Sequence, residues 1–145
     1  MDYTQPFRIA VALKHPGNLT RKVQPHSILL PSTPRTLREL IELMVQTCVR
    51  SYEVRRQQGY RTTPLTEAEW HAMEEVGKFT FGVHETAAPA DEGRAVTTAL
   101  SAVEDGLVRI FRGTEELTEL SAPLLLEQDQ VLTFVRLTML SGRMW

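Results

Sequence analysis

The side chains able to do chemistry in this chain are few and scattered. His15, His26, His71 and His84 fall in expected turns, at a strand edge and on a helix, and no two stand at the His-x-x-x-His spacing that puts two ligands on one helix face. Cys48 is the single cysteine, so neither a Cys-x-x-Cys metal site nor an internal disulfide can form. It falls on an apolar helical stripe, where a thiol is a small core side chain rather than a nucleophile. Glu74-Glu75 and Glu115-Glu116 are adjacent pairs, and neighbours on a helix or strand point to different sides, which suits no shared proton. No glycine-rich phosphate loop is present. The residues therefore imply no enzyme acting alone, no metal and no cofactor.

Bulk properties narrow the field further. The chain has 145 residues, the length of one domain, and 42 % hydrophobic with 23 % charged residues is ordinary for a globular protein. A net charge of -2 argues against broad nucleic-acid binding, which needs a clustered basic face. The amino terminus, Met1-Asp-Tyr-Thr-Gln-Pro6, lacks a basic region followed by an apolar run, and no apolar stretch nears the roughly 18 residues of a membrane span. With one cysteine, the expectation is a cytoplasmic protein whose partner is another protein, with no membrane and no nucleic acid.

The elements that must position any site follow from periodicity. Phe7, Ile9, Val11 and Leu13 alternate with Arg8, Ala10, Ala12 and Lys14, the period of a half-buried strand. His15-Pro-Gly-Asn18 is turn chemistry, and a second strand is expected within 19–30, best in Ser27-Ile-Leu-Leu30. Leu37, Leu40, Ile41, Met44, Cys48 and Tyr52 then follow helical spacing. Thr36 and Glu39 form a capping box at its start, and Gly59 marks its stop. Arg50, Arg55 and Arg56 crowd its last turns as a solvated face compatible with the helix dipole.

Residues 60–106 read as an insertion. It holds a short helix from the capping box Thr66-Glu-Ala-Glu69 to near Gly77, a strand over Lys78–Val83, a loop over Glu85–Gly93, and a helix over Ala95–Glu104 with Val96, Ala99, Leu100 and Val103 as its stripe. A strand over Leu107–Arg112, a turn at Gly113-Thr114, a short return strand and a final strand over Val131–Thr138 complete the order. The final strand alternates two ways. Val131, Thr133, Val135 and Leu137 are expected to face the long helix. Leu132, Phe134, Arg136 and Thr138 then lie on the far side, beside Ala10 and Ala12 of a parallel first strand. Phe134 and Arg136 thus become candidate binding residues, with Arg8 and Arg109 or Arg112 at the rim. The competing expectation has the inserted strand and helix cover that face and make Phe134 core.

Arg109-Ile-Phe-Arg-Gly113, Glu116-Leu117, Leu124–Leu126 and Val131–Leu137 resemble the second half of ubiquitin. They are similar as well to the sulfur-carrier proteins of molybdopterin and thiamine synthesis, whose last strand follows a Leu-x-x-Gly-Asp-x-Val turn. Here that turn reads Leu126-Glu-Gln-Asp-Gln-Val131, with Gln128 in the place of the glycine. The resemblance covers 107–142 by local pattern and 7–58 by element order. It implies an α+β fold, the β-grasp: a mixed sheet packed on one long helix, in a single ubiquitin-like domain over 1–145 with the 60–106 insertion.

The resemblance also gives the C-terminal tail a meaning. In those families a terminal glycine carboxylate is adenylated by an activating enzyme that uses ATP and magnesium. Here Leu140-Ser141-Gly142 stands in the tail position, Ser141 replaces the first glycine, and Arg143-Met144-Trp145 follows. Three readings stand. In the leading one the protein is an interaction module whose sheet face and tail, with Met144 and Trp145, contact another protein, tryptophan being a common interface anchor. In the second a processing protease trims the chain to Gly142, and it serves as a protein modifier or sulfur carrier. In the third it is a structural subunit docked through 60–106.

Overall fold

The computed structural model describes residues 6–14, 25–58, Val76 and 92–136, with 52–58 as helix path only. Five strands and two helices lie within these residues: β1 (Phe7–Lys14), β2 (His26–Leu30), α1 (Leu37–Gln58), α2 (Glu92–Glu104), β3 (Val108–Arg112), β4 (Glu115–Leu117) and β5 (Gln130–Arg136). The strands form one mixed sheet in the order β2-β1-β5-β3-β4. β1 runs antiparallel to β2 and parallel to β5, and β3 runs antiparallel to both β5 and β4. The architecture is α+β.

Alternation in β1 settles its orientation: Phe7, Ile9, Val11 and Leu13 are all buried. Ile28 and Leu30 of β2, Val108 and Ile110 of β3, and Leu132 and Phe134 of β5 join them in one core with Leu37, Leu40, Ile41, Met44, Val45, Cys48 and Val49 of α1. Side chains of this size contribute roughly 1.5–3 kcal/mol each when fully buried. The buried stripe of α1 is wider than the expected one because α2 packs beside α1, with Ala99 in the same core. Val76 is helical and buried in that core too, so the insertion reaches inward at this point.

Local chemistry fixes the ends of the elements. At the start of α1 the Thr36 hydroxyl accepts from the Glu39 amide (3.1 Å), and the Glu39 carboxylate accepts from the Arg35 amide (2.7 Å), one residue before the usual capping-box donor. The Arg38 amide, unpaired within the helix, donates to the Leu120 carbonyl (2.9 Å). The Leu124 amide donates to the Arg35 carbonyl (2.8 Å), so the irregular 118–129 segment is sewn to the first turn of α1. α2 starts at Glu92, three residues earlier than the periodicity suggests. It ends in a Schellman motif, in which the Gly106 amide reaches the Val103 carbonyl, the Leu107 amide reaches the Ala102 carbonyl, and Gly106 takes φ +78°. The stop expected at Asp105-Gly106 stands here.

One expectation is overturned. Leu132 and Phe134 are fully buried, whereas Val131 is 45 % exposed and Thr133 and Val135 are half-buried. The register gives the reason: Leu132 lies beside Val11 and Phe134 beside Leu13, both inward residues of β1. A shift of one position exchanges the two faces of a strand, and β5 takes the setting that buries its larger pair. Phe134 is therefore core because it faces the helices. The expected strand at 78–83, the helix over 66–77 apart from Val76, the turn at 15–18 and the tail Leu140–Trp145 lie outside the described residues.

Candidate functional site: the second face of the sheet

The register places every remaining strand side chain in rows across the second face. Arg8 stands opposite Leu29, and Ser27, Ala10 and Val131 form the next row. Ala12, Thr133, Phe111 and Glu116 form the third, and Lys14, Val135 and Arg109 the fourth. Neighbouring strands lie about 4.8 Å apart and β1 rises about 3.3 Å per residue, so the strip from Arg8 to Lys14 is about 20 Å long. Ala10, half-buried, and Ala12, buried with 7 % of its surface exposed, make a low floor along β1. Val131 and Val135 of β5 and the half-buried ring of Phe111 on β3 stand higher.

Charge gathers at the ends of the strip. Lys14 and Arg109 occupy one row on either side of Val135. The Arg109 side chain is 53 % exposed and pairs with Glu116 at 3.2 Å. Arg8 sits at the opposite end, 49 % exposed, with Asp129 at 4.0 Å. Its backbone is held by the turn before β5: the Arg8 amide donates to Gln128 Oε1 (3.0 Å) and the Asp129 amide to the Arg8 carbonyl (2.8 Å). Asp129 takes the left-handed conformation, φ +64°. The position that demands it thus lies one residue after Gln128, where the sequence pattern puts the glycine.

The expected site residues separate. Arg8 and Arg109 stand on the second face, toward its two ends. Phe134 does not reach it, and Arg136 pairs in register with Val108 on the helix side, half-buried. Arg112 also turns to that side, where it donates to the Leu125 carbonyl (2.8 Å) and pairs with Glu115 (3.0 Å). Glu115 and Glu116 each hold an arginine on opposite faces, as alternation requires. Leu140, Ser141, Gly142, Met144 and Trp145 lie outside the described residues, as do His15, His71 and His84. The second face instead presents Val131, Thr133 and Val135 of β5, which the sequence reading expects on the helix side, and Phe111 of β3, to which it gives no place on that face.

Away from the sheet, Arg50 and Glu92 form a two-pronged ion pair at 3.0 and 3.1 Å that ties α1 to the first turn of α2. The hydrogen bonds to Glu92, then its charge, push the Arg50 guanidinium further above its already high range. Cys48 is buried in the core. Among the described residues no group of three or more His, Cys, Asp or Glu side chains could hold a metal ion, and no helix is long and apolar enough to cross a membrane. Among the described residues the second face carries no nucleophile with a base beside it. It is an apolar strip with cationic ends. No family model, curated protein or solved structure matches this chain.

Proposed function

We propose that this chain is a ubiquitin-like β-grasp protein that works by binding another protein, with the open sheet face as its main contact and the tail through Met144 and Trp145 as a second. The observation that carries the reading is the row pattern of the second face: exposed Val131 with half-buried Ala10, Val135 and Phe111 around the buried Ala12, across three strands, between Arg8 at one end and Lys14 with Arg109 at the other. An apolar centre with a charged rim is the usual anatomy of a contact surface. The β-grasp assignment is supported by the sheet order, with parallel β1 and β5 at its centre, together with the ubiquitin-like pattern of 107–142. The partner in this reading is a protein with an apolar surface flanked by acidic side chains.

The test is site-specific photocrosslinking in cells of the natural host. A photoreactive residue at Val131 should give one discrete protein adduct, and the same residue at Glu42 on α1 should not. The adduct should vanish when Thr133→Arg is added, while circular dichroism shows the fold retained. Equal labelling from both positions would remove the sheet face as the contact. A product that forms only with ATP and joins through Gly142 of a trimmed chain would replace this reading by the modifier or sulfur-carrier one.

A further inference from the structure

We draw no further inference here: the strongest candidate, the cleft of about 490 Å³ where the C-terminal end of α2 meets β3, β4 and the first turn of α1, sets the exposed carboxylates of Glu104, Glu116 and Glu119 against the guanidiniums of Arg38 and Arg109, and nothing in the structure shows which ligand that mixed rim would select.

Discussion

The two faces of β5 are made of similar material and end in opposite environments. Leu132 and Phe134 point to the helices and are fully buried, while Val131 and Val135, also apolar, point the other way, and Val131 keeps 45 % of its surface in solvent. Hydrophobic character alone does not separate them. Size does: a leucine and a phenylalanine remove more apolar surface from water than two valines. β-branched Val131, Thr133 and Val135 also suit a strand whose outer side is only half covered. The neighbouring strand divides in the same way by size, with Phe7, Ile9, Val11 and Leu13 inward and two alanines between two cations outward, although Ala12 is itself buried. Large residues line the helix side of both strands, and small or branched ones line the second face.

The sharpest way to break this comparison is Phe134→Ala. It should cost about 3–5 kcal/mol, the range for emptying a buried aromatic site, measured by urea unfolding. A loss below about 1 kcal/mol would mean that the faces of β5 are exchanged. Thr36→Ala should cost about 1 kcal/mol, because it removes the cap of the helix that covers the inward face. Asp129→Gly should raise stability by up to about 1 kcal/mol through relief of its left-handed backbone, since the exposed contact with Arg8 that it gives up, at 4.0 Å, is worth little. A drop in melting temperature would show that this contact matters more than the backbone. Arg50→Ala should cost less than about 1 kcal/mol, and the difference from the parent should shrink as salt is added, because the pair is solvent-exposed. Val131→Ala should change stability by no more than about 0.5 kcal/mol. Together with the Phe134 result it fixes which side of β5 is core.

Much of the architecture was legible because single residues carried unambiguous signals. Thr36 and Glu39 marked the start of α1, Asp105-Gly106 the end of α2, and Gly113-Thr114 the reversal between β3 and β4, where Gly113 takes φ +63°. The alternation of β1 was equally clear, because arginine, lysine and two alanines cannot compete with Phe7, Ile9, Val11 and Leu13 for the core. β5 offered two apolar sides, and periodicity gives the alternation of a strand without its absolute direction. The candidate site inherits that ambiguity: Phe134, expected on the second face, lies on the helix side of β5. The Arg50–Glu92 pair was invisible for another reason, since its members stand 42 positions apart and nothing in the local sequence of either announces the other.

The placement of β5 bears on how the chain is made. The β1–β2 pair and the β3–β4 pair share no edge, and β5 alone joins them. Arg8 on β1 and Gln128 in the turn that leads into β5 stand 120 positions apart. At a synthesis rate of about 5–20 residues per second, β1 waits about 6–24 s for its central neighbour to leave the ribosome. Throughout that time the side of β1 that β5 will occupy offers unpaired amides and carbonyls along an apolar, β-prone stretch, the kind of edge that recruits other nascent chains. Yield in the cell should therefore respond to the pace of translation and to chaperone supply more than the stability of the finished domain would suggest.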